Sequence, residues 1–228
     1  MTSLPTHVER EMGLVIDLDT CVGCHACVVA CKGWNDQGMG APLSDTAPYG
    51  AEPVGVFLNR VHSYEVQPED SAPFLVHFPK SCLHCREAPC VTVCPTGASL
   101  KRAVGAGPGA REQDPSEMVM KKCTLCADRI YDEAIPEVDR QPACVRTCPA
   151  GARHFGDLSD STSDVSRLVA ERGGVDLMPE QGTGPVNKYL PPRPRDEAID
   201  VLAPLLAPVA EEPQGFLGWL DRTLSKVS

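Results

Sequence analysis

The chain is poor in aromatic residues, which make up 5% of its 228 positions, and it has no long apolar run. Its best stretch, 199–210, is about twelve residues long and is broken by Pro204 and Pro208. A bilayer-spanning helix needs roughly 20 apolar residues, so a direct membrane span is excluded as an expectation and any membrane role must run through a partner. Positive charge is also scarce: 21 Lys and Arg face 31 Asp and Glu, a formal charge of −10. Non-specific nucleic-acid binding needs a basic face, and none is expected here. The opening MTSLPTHVEREMG contains no apolar signal segment and no twin-arginine pair. The chain is therefore expected in a reducing compartment, where clustered cysteines bind metal more often than they form disulfides. No Ser–His–Asp set and no carboxylate pair stands out. Gly105, Gly107 and Gly109 lack the GK[ST] of a phosphate loop. No catalytic residue is assigned.

What the chain does have is turn formers and thiols: 22 prolines, 19 glycines and 12 cysteines. The cysteines fall into four groups, and none lies outside them. They are Cys21, Cys24, Cys27, Cys31 in CVGCHACVVAC; Cys82, Cys85, Cys90, Cys94 in CLHCREAPCVTVCP; Cys123, Cys126 in CTLC; and Cys144, Cys148 in CVRTCP. Strand-like runs lead into three groups (GLVIDLD, FLVHF, EMVMKK), and another, ARHF, follows the last. The unit strand, cysteine loop, helix turn recurs, which suggests internal duplication. VFLNRVHSYEV is a strand candidate within the Gly/Pro/Asp-rich residues 38–73. AVGAGPGAREQDPS, residues 103–116, reads as a flexible linker. Beyond Asp157 the chain has no cysteine, a short helix candidate near 165–172 and the extended PPRPR. It is expected to wrap a partner as a tail.

A cubane iron–sulfur cluster needs four thiolates, and C-x₂-C-x₂-C delivers three from one tight loop. The fourth cysteine of C-x₂-C-x₂-C-x₃-C is carried away by a helix turn and serves the neighbouring cluster. The last two groups combine into one interrupted half-site, C-x₂-C-x₁₇-C-x₃-C-P. The crossed pattern then assigns Cys21, Cys24, Cys27 and Cys148 to a first cluster, and Cys123, Cys126, Cys144 and Cys31 to a second. A third uses Cys82, Cys85, Cys90 and Cys94; Cys94 is the least secure of these, because in a paired arrangement it would serve a fourth cluster. The third site is accordingly a [4Fe–4S] cluster, or a [3Fe–4S] cluster if Cys94 turns away. Zinc ribbons on Cys82/Cys85 and Cys123/Cys126 are the competing reading, but zinc requires neither the four-cysteine run nor the C-P endings. His25 and His84 lie inside cysteine loops and are read as tuning or filling them rather than ligating. Lys32, Lys80, Lys121 and Lys122 flank the cysteines as candidate counter-charges.

CVGCHACVVACKGWN, CLHCREAPCVTVCPTGA, KKCTLCADRI and PACVRTCPAGARHFGDL, in that order over about residues 11–160, resemble the iron–sulfur subunit of the dimethyl-sulfoxide-reductase family of molybdoenzymes. The resemblance implies an electron-transfer subunit that joins a molybdopterin-containing catalytic subunit to an integral-membrane, quinone-reactive anchor. The family's usual four-cluster member has one more C-x₂-C-x₂-C-x₃-C-P motif, where this chain has residues 103–116. GLVIDLDTCVGCHACV and NRVHSYEV look most like the sulfite-oxidising, quinone-reducing branch, held at the cytoplasmic face of the inner membrane. Relays to dimethyl-sulfoxide, tetrathionate, thiosulfate or polysulfide, or a stand-alone ferredoxin, are the alternatives.

The expected fold is α+β: a ferredoxin-like double lobe over residues 11–160. One lobe is complete (11–37 with 115–160) and one is degenerate (about 74–102). A loop-rich insertion (38–73) and an extended tail (161–228) complete the chain. Twelve thiolates at four per cubane cap the count at three, so iron and acid-labile sulfide should each come to about twelve atoms per chain. About eleven irons with a paramagnetic three-iron signal in the oxidised protein would assign the third site to the smaller cluster, and about sixteen would refute both counts.

Overall fold

A strand with both faces covered reads as an unbroken apolar run, because neither set of alternate side chains meets water. The segment after Glu11 is such a strand. In the computed structural model, which describes residues 9–36, 56–67, 73–95, 111–114 and 119–193, β1 (Met12–Asp17) has every residue from Gly13 to Asp17 buried. Leu14 and Ile16 face a core shared with Cys27, Val28, Val61, Leu125, Cys144 and Tyr189. Val15, on the opposite face, meets Val165 and Leu190. Full burial of such side chains contributes about 1.5–3 kcal/mol each.

The remaining elements follow in chain order: α1 (Ala26–Asn35), β2 (Asn59–Val66), β3 (Phe74–Ser81), α2 (Pro89–Thr92), β4 (Arg111–Asp114), β5 (Val119–Lys122), α3 (Ala127–Ile130), α4 (Ala143–Arg146), β6 (Arg153–Asp157), α5 (Asp164–Arg172) and β7 (Lys188–Leu190). The mixed helix and strand content agrees with the expected class. Among the described residues β1 is the centre of a three-stranded sheet, ordered β6-β1-β7, while β2-β3 and β4-β5 form antiparallel pairs. β1 runs antiparallel to β6, with Met12 opposite Asp157 and Ile16 opposite Arg153. It runs parallel to β7, with Ile16 opposite Tyr189.

Two expectations change. Residues 161–193 are not tail: they pack with the preceding residues as one unit ending at Arg193. In α5, the Ser163 hydroxyl accepts the Ser166 N–H at 3.2 Å, and Gly173, at φ 63°, ends the helix in the left-handed region. The helix covers β6 closely, since a Cβ on Gly156 would lie 2.8 Å from Val165 Cγ2. The signal in KYL was too short to reveal β7, whose Tyr189 and Leu190 are 2% and 0% exposed. The strand candidate VFLNRVHSYEV within the insertion is present as β2, which pairs with β3 along its full length, Asn59 opposite Ser81 to Val66 opposite Phe74. The linker also contributes a strand: Arg111–Asp114 pairs with Val119–Lys122. The rest of the expected tail, 194–228, and Gly105, Gly107 and Gly109 lie outside the described residues.

Asn187, wholly buried, ties the sheet to the second cysteine group. Its Oδ1 accepts the Leu14 N–H at 2.7 Å, and its Nδ2 donates to the Cys82 carbonyl at 2.7 Å. Asn187→Ala strands two buried backbone groups at about 1–3 kcal/mol each. It should lower stability by about 2–4 kcal/mol and speed amide exchange at Leu14, read by thermal unfolding and by hydrogen-exchange mass spectrometry. Wild-type exchange at Leu14 would show that the bridge carries no load.

Candidate metal centre

The first cysteine loop is shaped by the residue that ends β1. The Asp17 carboxylate accepts the Asp19 N–H at 2.9 Å and the Thr20 hydroxyl at 3.0 Å, an Asx turn that folds the chain back so that the Cys21 N–H reaches the Asp17 carbonyl. Burial pushes the Asp17 carboxyl up, but hydrogen bonds from Arg172, Asp19 and Thr20 outweigh it and hold the group below the usual carboxylate range. His25, left-handed at φ 60°, is the N-cap of α1. Cys27 and Cys31 then stand one turn apart on that helix, both buried.

The duplication suggested by the sequence appears in the backbone. In three C-x₂-C loops the residue before the second cysteine has positive φ: Gly23 at 67°, His84 at 51° and Leu125 at 57°. Each turns its N–H onto the sulfur two residues earlier. His84 N lies 3.1 Å from Cys82 Sγ, and the Gly23 and Leu125 N–H groups hydrogen-bond the Cys21 and Cys123 sulfurs. Such a bond favours the thiolate. Two of the three residues are not glycine and bear the strain of the left-handed region, about 1–3 kcal/mol each.

The sulfurs assemble into three groups. One hollow is lined by Cys21, Cys24, Cys27 and Cys148, together with Val61, Pro79 and Arg153. In the second group, Cys31 lies within electrostatic reach of Cys123, Cys126 and Cys144. In the third, Cys82 is within reach of Cys85 and Cys90, and Cys94 follows just beyond α2. Neighbouring groups lie within electrostatic reach of one another: Cys82 of Cys123, and Cys144 of Cys27. Burial pushes the Cys123 thiol up to about 12 and the Cys126 thiol up to about 11, and raises Cys31, Cys82 and Cys144 as well. Such thiols hold their protons at neutral pH unless a metal replaces them.

Arg153 tests whether the hollows suit an anionic group. It is 3% exposed, its Nη2 donates to Asn59 Oδ1 at 2.7 Å, and among the described residues its Nε and Nη1 find no oxygen or nitrogen acceptor. Its guanidinium lies against the Cys144 and Cys27 sulfurs, and these raise its pKa against the opposing effect of burial. A buried cation without a counter-charge costs several kcal/mol. Anionic thiolate-bound clusters held by the cysteines of the adjoining hollows would supply that counter-charge, so the residues fit iron–sulfur groups. Among the described residues, no three His, Cys, Asp or Glu side chains are grouped as a single-ion site.

Of the lysines that flank the cysteines, Lys32 and Lys121 ion-pair with Asp36, at 3.1 and 2.7 Å, and so fasten α1 to β5. Lys80 and Lys122 lie in β3 and β5. His25 shapes a loop, whereas His84 is buried with Nε2 3.5 Å from Cys123 Sγ, between the second and third groups. Sequence reasoning missed Arg153 and Asn35. Asn35 Nδ2 lies 3.6 Å from both Cys31 Sγ and Cys126 Sγ. The one signal for Arg153 was a lone charge inside ARHF.

Comparison with known proteins points to an iron–sulfur chain. Residues 20–98 match the 4Fe-4S dicluster domain family. The chain is 52% identical over 209 residues to a sulfite dehydrogenase subunit of Allochromatium vinosum, a match covering 83% of this chain and 87% of that protein. It is 33% identical to a tetrathionate reductase subunit of Salmonella typhimurium, over 80% of this chain and 73% of that one. It is 31% identical to the putative dimethyl sulfoxide reductase iron-sulfur subunit of Halobacterium salinarum, over 78% of each.

Gly23 is the loop position with least room. A Cβ there would lie 2.5–2.8 Å from the His77 ring, in a backbone conformation that side chains rarely adopt. Gly23→Ala should cost about 1–3 kcal/mol and release iron from the first group, measured by iron content and melting temperature. His77→Ala in that background should recover the part due to the clash and leave the backbone strain. Full iron and an unchanged melting temperature in Gly23→Ala would contradict the geometry.

Proposed function

The chain belongs to the family of iron–sulfur subunits of molybdoenzyme reductases and dehydrogenases, and we propose that it relays single electrons between a molybdopterin-containing catalytic subunit and an integral-membrane, quinone-reactive subunit during sulfite oxidation. The choice of sulfite rests on the 52% identity to a sulfite dehydrogenase subunit, against 31–33% for the dimethyl sulfoxide and tetrathionate reductase relatives. Those relatives are named as subunits, which favours an assembly over a free ferredoxin.

The observation that carries the relay is the succession of sulfur groups within electrostatic reach of one another. The group of Cys31, Cys123, Cys126 and Cys144 senses the first group through Cys27 and the third through Cys82. The proposal assigns one [4Fe–4S] cluster to Cys21, Cys24, Cys27 and Cys148, and a second to Cys123, Cys126, Cys144 and Cys31. A third falls to Cys82, Cys85, Cys90 and Cys94, or is a [3Fe–4S] cluster without Cys94. Bound there, the clusters would supply reversible one-electron chemistry at potentials set by their surroundings. The chain's own part is to hold the thiolates convergent, to aim the Gly23, His84 and Leu125 N–H groups at sulfur, and to exclude water with Leu125, Val61 and Ile16. Among the described residues no helix is long and apolar enough to cross a membrane. The proposal therefore gives the chain a peripheral position at the cytoplasmic face of the inner membrane, held by its partners.

Purification from native membranes should recover the chain with a large pterin-binding subunit and a multi-span protein; recovery as a lone 24.4 kDa protein would overturn the assembly. The ligand crossing has its own test. Cys148→Ser should perturb the paramagnetic signal of the cluster on Cys21, Cys24 and Cys27, and Cys31→Ser that of the cluster on Cys123, Cys126 and Cys144. The opposite pattern would reverse the assignment.

A further inference from the structure

Arg153 is the described cation that adjoins two sulfur groups at once. From β6 it lines the hollow of Cys21, Cys24, Cys27 and Cys148, and its guanidinium also lies against Cys144 of the second group. It is fixed there: Asn59, itself 3% exposed on β2, holds Nη2 at 2.7 Å. Among the described residues Nε and Nη1 find no oxygen or nitrogen acceptor, and the other hydrogen-bond partner of the guanidinium is the Cys144 sulfur. In the third group the leading influences on Cys82 are burial, the neighbouring Cys123, Cys85 and Cys90 sulfurs and the His84 N–H, and Arg153 is not among them. Lys32, Lys121 and Arg172, by contrast, are each engaged with a carboxylate, Asp36 for the two lysines and Asp17 for Arg172.

Reduction of a thiolate-ligated cluster adds one negative charge. A fixed cation stabilises the reduced form more than the oxidised one, and more strongly where water is excluded. We propose that Arg153 is a shared positioning charge that raises the reduction potentials of the first and second clusters together and leaves the third unaffected. This rests on the ligand assignment proposed above. The two fail separately, because the cysteine variants and the iron content test the assignment, whereas the potentials test the charge.

The experiment is a mediator-controlled redox titration of the purified full chain in its complex, with dithionite as the reductant and paramagnetic resonance as the readout. Signals are assigned through Cys148→Ser and Cys31→Ser. Arg153→Gln should lower the reduction equilibrium constants of the first and second clusters at least tenfold, which is 59 mV for a one-electron couple. Arg153→Lys, which keeps the charge and loses the planar fork, should stay close to wild type, and the third cluster should not move in either variant. Unchanged potentials in Arg153→Gln would overturn the proposal. So would equal shifts in the Gln and Lys variants, which would indicate packing, or an equal shift at the third cluster. If Arg153→Gln fails to assemble clusters, Asn59→Asp leaves the arginine in place and sets a carboxylate on it. It should lower the same two potentials, and no change there would equally overturn the proposal.

Discussion

The pairing of β1 with β6 is the constraint on which the metal centre depends. It joins segments far apart in the chain, with the Glu11 N–H donating to Asp157 Oδ1 across a separation of 146 residues. At the end of the pair the Asp17 N–H donates to the Ala152 carbonyl at 2.8 Å. Cys21 lies four residues beyond Asp17, and Cys148 four residues before Ala152. Two chains leaving one antiparallel rung by equal steps arrive side by side, which is why Cys148 lines the hollow of Cys21, Cys24 and Cys27. The helix turns complete the exchange. Cys27 and Cys31 are one turn apart on α1, so they point to successive groups, and Cys144 occupies in α4 the position that Cys27 occupies in α1. A slip of one residue between β1 and β6 would reverse every side chain, turning Leu14 and Ile16 out of the cysteine-lined core.

Much of this was legible because it is local. C-x₂-C loops, their preceding strands and the helix turns after them are written within a few consecutive residues, and β1, β3, β5 and β6 lie within or beside the runs that announced them. The missed parts depend on distant contacts. KYL has no strand signal of its own, and β7 exists because β1 offers it a parallel edge and because Tyr189 stacks on Phe78, with centroids 4.7 Å apart. Asn187 and Asn35 look like loop or surface amides in sequence, and only the fold brings one to the Leu14 amide and the other to two sulfurs. The lysines misled for the same reason. Nearness in sequence to a cysteine does not decide which carboxylate a flexible ammonium finds, and Asp36 took two of them.

The exposure of the cysteines gives the three groups proposed for them distinct physical characters. In the middle group Cys31, Cys126 and Cys144 are buried and only Cys123 is partly accessible. The outer groups are more open: Cys24 is exposed in the first, and Cys85, Cys90 and Cys94 are partly accessible in the third. The side chains beside them follow suit, with Val22 next to Cys21 60% exposed and Val93 next to Cys94 70% exposed. A relay requires this distribution. Its ends must approach donor and acceptor closely, and apolar side chains left in water there lose nothing when a partner covers them. Its middle must be insulated, since water near a charged centre screens the fields that set its potential. Arg153 and Asn35 act where screening is weakest, between and within the buried groups, so a single charge or amide there has more influence than the surface lysines suggested by the sequence.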